Sequence, residues 1–451
     1  MDAVTLSRIQ FALTSSFHYI YPPLSMGLAL MLVVIEGMYM KTKNVFYKQM
    51  AQFWTKIFGL TFALGVATGL VQLFGFGTNW ARYSRFVGDV FGSTLAAEGV
   101  FAFFLEAGFI GIMLFGWDRV RPKIHYLSTI LVTIGAHFSA VWIVIANSWM
   151  QTPSGYTIVG EGSEARAVVT DFWAMIFNPS AIDRLTHVIL GCWLAGIFLL
   201  LSVCAYYLLK KRHMSFAYTG MKIGLVSAAI VLVLQLVSAD STARGVAKNQ
   251  PAKLAAIEGI YKTKPYTPMG IVGFVDPKQE EVKGITMPGL LSFLVYRNPE
   301  TPVKGLEEFP REDWPNVPVV FQTYHMMIYM WGAMVMLVML ALYFWKKKRL
   351  EQAKWTLRGI VLSVMCPQIA NQTGWATAEM GRQPWVVYGL LRTEHGTSVS
   401  VQASQVFSSI LMLSAIYLLL FILFIYLLNH KIQQGPEGGE APSEYRNIYP
   451  K

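Results

Sequence analysis

Two histidines, a methionine and several acids stand inside long apolar runs of this 451-residue chain. Such residues are rare and costly in hydrocarbon, so each raises the question of function. Glu379 lies in GWATAEMGRQPW (Gly374–Trp385), at the end of an apolar segment that starts near Trp355. A carboxylate in such a place costs about 2.5–3.5 kcal/mol on insertion scales. Either it marks a site, or Arg382, three residues on, neutralises it locally. His18 lies in ALTSSFHYIYPPLSMG. Pro22 cannot donate to the His18 carbonyl, which predicts a kink there. His187 lies in NPSAIDRLTHVILG, with Asp183 one turn back as an orienter. Taken alone, each imidazole is a hydrogen-bonded core residue or a ligand. Met327, in FQTYHMMIYMWG, is by itself a packing residue. A His/Met pair, however, is an axial set for a low-spin haem that carries electrons. Glu98 and Glu106 share GSTLAAEGVFAFFLEAGF. On an unbroken α-helix this spacing separates them by about 12 Å along the axis and about 80° around it. They are acids paired with neighbouring helices or, as we favour, steps of a proton relay. Ser139 and Asn147 could extend a polar track or simply hold helices together.

The elements that hold these residues must be membrane helices. Mean hydropathy is +0.44 and only 14% of residues are charged, which argues against disorder and an ordinary soluble domain. Several apolar runs reach the roughly 18 residues needed to cross about 30 Å of hydrocarbon. We read nine spans, an all-α integral membrane fold: Ser16–Met40, Phe53–Phe74, Thr94–Phe115, Tyr126–Ser148, Thr186–Leu209, Thr219–Val237, Val319–Trp345, Trp355–Glu379 and Val406–Leu428. Cys192, Cys204 and Cys366 lie in apolar runs without CxxC spacing and indicate no disulfide framework, zinc or iron–sulfur site. Met1–Gln10 lacks the basic-then-apolar order of a cleavable leader.

Lys and Arg concentrate in the loops after spans one, three, five and seven, which places the N-terminus outside and the C-terminus in the cytoplasm. These loops face anionic lipid, which accounts for much of the +11 net charge without nucleic acid. The chain divides into helices one to six (1–237), a long outer loop (238–316), helices seven to nine (317–428) and a disordered cytoplasmic tail (429–451). Long loops without secondary structure are uncommon and often functional. Here QPAKLAAIEGIY puts Lys253 and Glu258 on a short helical stretch, which composition alone cannot tell from an amphipathic surface turn. The orientation brings His18, His187, Met327 and Glu379 to similar depth on the outer side.

Together, GRQPW (Gly381–Trp385), KLAAIE (Lys253–Glu258), FGTNWARYSRFVGDVFG (Phe76–Gly92), EGVFAFFLE (Glu98–Glu106), FGWDR (Phe115–Arg119) and IANSWMQTP (Ile145–Pro153) resemble subunit I of cytochrome bd-type quinol oxidases. The similarity covers nearly the whole chain. It implies three haems near the outer face: a low-spin haem b558, a haem b595, and a haem d or a b-type haem in its place. His187 and Met327 match the axial pair of the low-spin haem. His18 and Glu379 match the axial ligands of the two high-spin haems, without deciding which holds which. Glu98 and Glu106 match acids beside the high-spin haems and on the proton route. Lys253 and Glu258 match the quinol-binding loop, in its short form. Arg382 would counter haem propionate or carboxylate charge.

The resemblance implies a bacterial or archaeal cytoplasmic membrane, ubiquinol or menaquinol and dioxygen as substrates, a second large membrane subunit (subunit II), and room for small single-helix subunits. Quinol would be oxidised outside and protons for water taken from the cytoplasm, which does electrical work without a pump element. One departure stands beside the methionine. The family often carries an arginine two residues before it; here that residue is His325, and Met326 adjoins Met327. The competing classes are an ion-coupled transporter using the buried acids, which predicts inverted repeats or broken helices around a midplane site, and a haem-free scaffold subunit.

Overall fold

The computed structural model describes residues 2–437, without the side chains of 101–103. The chain starts with α1 (Ala3–His18), capped by the Asp2 side chain on the Thr5 N–H at 2.8 Å. Two non-helical residues separate it from α2 (Tyr21–Thr42), whose first turn holds Pro22 and Pro23. The predicted kink is thus a break, and His18 is the last residue before it. Asn44 caps α3 (Val45–Thr78) through the Phe46 N–H at 3.0 Å.

Short α4 (Ala81–Phe86) and α5 (Gly88–Ala97) lead into a π-helical turn, Glu98–Phe103, and then α6 (Phe104–Phe115). That turn holds an extra residue, so the 12 Å and 80° expected for Glu98 and Glu106 on an unbroken α-helix do not hold; such insertions recur at functional sites. Pro122 opens α7 (Pro122–Gln151). A hairpin of β1 (Tyr156–Val159) and β2 (Arg166–Val169), then α8 (Phe172–Ile176), connect it to α9 (Ala181–Lys210). α10 (Met214–Asn249) follows.

The stretch expected as a long outer loop is folded. α10 runs past Val237 to Asn249, and α11 (Pro251–Glu258) carries KLAAIE. A hairpin of β3 (Met269–Asp276) and β4 (Glu281–Met287) and then α12 (Leu290–Tyr296) complete it. Leu254, Ile257, Ile260, Val275, Leu291 and Leu306 form a core of its own. Phe321, on α13 (Val317–Lys346), closes that core.

The expected span Trp355–Glu379 is two helices, α14 (Lys354–Leu362) and α15 (Met365–Met380). Pro367 cannot donate to the Ser363 carbonyl, and the break falls there. A two-stranded hairpin, β5 (Trp385–Val387) and β6 (Leu391–Arg392), then α16 (Thr393–Gly396), lead into α17 (Ala403–Gln434). The expected tail is therefore helical to Gln434, and its residues 438–451 lie outside the described ones.

Among the described residues, eight helical segments are long and apolar enough to cross a membrane, where the sequence gives nine expected spans. The broken α14–α15 pair makes the difference, since its helices have 9 and 16 residues. This is an all-α membrane protein with small hairpins outside its helices. α9 is the enclosed central helix, and α2 crosses it at Gly27 and Gly196. A Cβ on Gly27 would sit 2.5 Å from the Gly196 nitrogen, so small residues permit backbone contact there. Buried Glu36 ties α2 to α7, accepting from His125 Nδ1 at 2.7 Å and Thr129 Oγ1 at 2.7 Å.

Candidate functional site

α15 is the element against which most of the singled-out residues are placed. Gln372 Nε2 donates to the Ser16 carbonyl of α1 at 2.7 Å, and Thr377 Oγ1 donates to Thr323 Oγ1 of α13 at 2.9 Å. Asn371 Nδ2 donates to the Gly191 carbonyl of α9 at 3.3 Å. His18, Met327 and Glu379 therefore sit on helices in mutual register, and His187 lies one turn before Gly191 on α9. They are staggered rather than level. His18 lies between Ser16 and Ile20, whose carbonyls accept from Gln372 and Gln368, and Glu379 is roughly 10 Å further along α15 than Gln372.

The local chemistry of each residue follows from its partners. Thr68 Oγ1 gives its one proton to the Leu64 carbonyl at 2.7 Å and faces His18 Nδ1 at 3.0 Å. With that hydroxyl proton on Leu64, the tautomer protonated at His18 Nδ1 donates to Thr68 and leaves Nε2 its lone pair. On His187, the Gln235 Nε2 lies 3.1 Å from both ring nitrogens, and Gln235 Oε1 is buried without a partner. Gln235 Nε2 thus sits against both ring nitrogens of His187. The Met327 thioether faces α15 at Gly374, whereas Met326 is 41% exposed.

Glu379 is bound on both oxygens. Arg382 Nη2 donates to Oε2, and Asn147 Nδ2 donates to Oε1 at 3.0 Å. Local neutralisation by Arg382 and a place in a wider cluster thus coexist, because Arg184 of α9 donates to Asn147 Oδ1. Glu98 accepts from Ser139 Oγ of α7 at 2.5 Å, and Glu106 follows half-buried on α6. Asn147 stands with Glu379, so it does not join the Glu98–Ser139 pair.

Lys253 and Glu258 are buried, which an amphipathic surface turn would not produce. Lys253 Nζ donates to two neutral acceptors, Gln151 Oε1 and Gln250 Oε1. Burial first, then the Arg184 and Arg382 cations, hold its pKa well below the ordinary lysine value. Burial pushes the Glu258 carboxyl up to about 8, against the Gly270 N–H and the Tyr324 hydroxyl that bond it. Glu258 Oε2 is buried and unpartnered. Lys253 and Arg382 line one cavity of about 180 Å³ with Phe309, Asp313, Trp385 and Tyr388, so the KLAAIE and GRQPW segments meet there.

Compared with known proteins, residues 6–436 match the family described as cytochrome bd terminal oxidase subunit I. The chain belongs to that family. It is 37% identical to cytochrome bd ubiquinol oxidase subunit 1 of Bacillus subtilis (strain 168), over 97% of this chain and 95% of that one. It is 32% identical to cytochrome bd-II ubiquinol oxidase subunit 1 of Escherichia coli (strain K12), over 98% and 99%. The solved structure of the bd oxidase from Geobacillus thermodenitrificans matches with a TM-score of 0.88 at 29% identity, covering 96% of this chain and 99% of that one. The chain is thus subunit I of a cytochrome bd-type terminal oxidase, a multi-pass membrane protein whose activity is quinol:oxygen oxidoreduction. The transporter and scaffold readings fall with that membership.

Sequence reasoning missed three residues of this cytochrome bd subunit and misjudged a fourth. Arg184, Gln235 and Tyr324 are single polar residues in apolar helices, and only their partners reveal them. His325, noted as a departure, proves to be a fastener. Its Nδ1 faces the Phe321 carbonyl at 2.8 Å and its Nε2 the Gly270 carbonyl at 3.0 Å, pinning β3 to α13. Tyr329 adds a hydrogen bond to the Ile271 carbonyl at 2.9 Å.

Proposed function

We propose that this subunit oxidises quinol at the folded loop on the outer face, feeds three haems (b558, b595, and d or a b-type haem in its place), and draws the protons for water from the cytoplasm. His187 and Met327 would hold the low-spin haem, and His18 and Glu379 the two high-spin ones. The residues fit iron porphyrins on three counts. His18 protonated at Nδ1 against Thr68 has an Nε2 lone pair to offer. Met327 has its sulfur cradled by a glycine. Arg184 Nε and Arg382 Nη1 are buried donors without acceptors, suited to carboxylates. When bound, the low-spin haem passes electrons onward and the high-spin pair reduces dioxygen.

The protein's own groups do the rest. Lys253 offers a donor to a quinol oxygen, and the Glu258 carboxylate, formed as pH rises toward about 8, takes up the departing proton on its unpartnered oxygen. Arg382 neutralises Glu379 and carboxylate charge beside it. Glu98, steadied by Ser139, and Glu106 hold and pass protons toward the oxygen site. Protons released outside and consumed from inside separate charge, at about 2.3 kcal/mol per elementary charge for each 100 mV.

The arrangement implies nine spans, with α14 and α15 together as the eighth, an N-terminus outside and a C-terminus in the cytoplasm. The basic loops support that orientation. Exposed apolar side chains such as Phe74 on α3 and Leu419 on α17 fit lipid, subunit II and small single-helix subunits. Ubiquinol, acted on by the named relatives, or menaquinol is the donor.

The meeting of Lys253 and Arg382 in one cavity carries the reading, since it joins the loop to the helix of Glu379. A reduced-minus-oxidised spectrum of the purified complex tests it. Met327→Leu should abolish the low-spin signal and leave the high-spin ones. Unchanged spectra would remove Met327 as a ligand, and a wild-type complex without haem bands would remove the reading itself.

A further inference from the structure

The β3–β4 hairpin has two unlike faces. Val275 and Val282, a cross-strand pair, turn into the loop's core. Gly270, on the same face, lies flush against α13, where a Cβ would stand 3.2 Å from Phe321 Cζ. The opposite face carries Phe274, the cross-strand pair Val272 and Ile285, and Met287. All four are exposed, Ile285 at 68%. α12 extends this surface with exposed Phe293 and Tyr296, one turn apart. On the hairpin, charge is confined to the turn end. There Asp276 pairs with Lys283 at 2.7 Å, and Glu280 with Arg311 at 2.8 Å. A contiguous exposed apolar surface of this kind marks a contact with membrane or partner.

The depth of each part follows from α13. Exposed Lys346, Lys347 and Lys348 stand at its cytoplasmic end. Crossing the hydrocarbon takes about 20 helical residues, so the outer edge lies near Met326. β3 runs down α13 across this level. Gln322 Nε2 donates to the Gly273 carbonyl at 2.9 Å on the turn side, and Tyr329 Oη donates to the Ile271 carbonyl at 2.9 Å on the deep side. His325 Nε2 stands between them, 3.0 Å from the Gly270 carbonyl. Strand backbone tolerates hydrocarbon only where its polar groups are satisfied, and α13 supplies partners where β3 is deepest. α12 sits at the same level on α10: Arg297, next to Tyr296, donates to Asp240 at 2.7 Å, just past exposed Leu236 and Val237. Polarity therefore changes with depth, from a charged turn outside to an apolar base at the hydrocarbon edge. We infer that the apolar face of the hairpin and α12 is seated in the outer leaflet, with lipid acyl chains as its occupant. This rests on the topology proposed above. A bilayer imposes such a gradient, with aromatic side chains at its edge, whereas a protein partner gives no reason for one.

The test puts photoreactive p-benzoylphenylalanine in place of Ile285, or of Lys278 in the turn. The assembled oxidase is reconstituted into vesicles of phosphatidylethanolamine and phosphatidylglycerol, irradiated, and its adducts are read by mass spectrometry. The probe at 285 should capture lipid, and the probe at 278 should not. If the 285 variant loses its haem spectrum, the same probe in place of Met287 gives the reading. Capture of subunit II, a small subunit or a second copy of this chain at 285 overturns the lipid seat in favour of that protein. Absence of a lipid adduct at 285, or equal lipid adducts at both positions, overturns it as well. The underlying topology is read separately. Lys278→Cys should react with a membrane-impermeant maleimide added outside intact spheroplasts. Labelling only from the cytoplasmic side would sink that topology.

Discussion

The sulfur of Met327 occupies space that a side chain on Gly374 would need: a Cβ there would stand 2.7 Å from Sδ. α13 and α15 approach this closely because residue 374 has no side chain, and the Thr377–Thr323 hydrogen bond nearby holds their register. Gly374→Ala must therefore displace the thioether. The expected outcome is a lost or shifted low-spin haem band at little cost in stability, since the thioether is the far end of a flexible side chain and can move. Wild-type absorbance in that variant would mean that Met327 does not bind iron.

Glu258 predicts a pH dependence. Burial raises its carboxyl to about 8, so the group is neutral at neutral pH and ionises as pH rises to that value. Turnover limited by quinol oxidation should climb toward pH 8. Glu258→Gln should flatten that climb and lower the rate by about 10²-fold. The same shift bears on the loop's stability. The folded form binds this proton more tightly than the unfolded chain, so the contribution is complete below 4.5 and is lost as pH rises through about 8. Proteolysis within 238–316 should quicken over that window in the wild type but not in Glu258→Gln.

The sequence made the helices legible because their apolar runs are long and the basic loops alternate. Pro22 and Pro367 show the limit. The first signalled a kink and produced a break, and the second split an expected span that hydropathy reads as continuous. The loop's fold was hidden because its core uses scattered residues such as Leu254, Val275 and Leu291 and borrows Phe321 from α13. The π-helical turn at Glu98 left no periodic signal. Arg184 and Gln235 escaped notice because a lone polar residue in an apolar helix more often joins helices than serves a site.

The quinol-binding role proposed for Lys253 can be tested apart from the haems. Its ammonium is buried, has only the Gln151 and Gln250 oxygens as partners, and its pKa lies well below the ordinary lysine value. Lys253→Ala should raise the apparent quinol KM about tenfold, the loss of one good hydrogen bond to a charged group, and leave the haem spectra unchanged. An unaltered KM would make the residue a structural prop for the GRQPW turn.

The acid pair on the π-helical segment gives the last test. Ser139 Oγ donates to Glu98 Oε1 at 2.5 Å, which fixes the carboxyl against α7, while Glu106 lies beyond the π-turn on α6. If both pass protons, removing the ionisable group should slow oxygen reduction, whereas removing only the hydroxyl should misplace one carrier. Glu106→Gln should therefore slow the single-turnover reaction with dioxygen by about 10²-fold or more with its haems retained. Ser139→Ala should slow it less, because Glu98 keeps its proton-carrying group and loses only its donor. Normal turnover in Glu106→Gln would take that residue off the proton path, and equal slowing in the two variants would point to distorted packing around α6 and α7 instead.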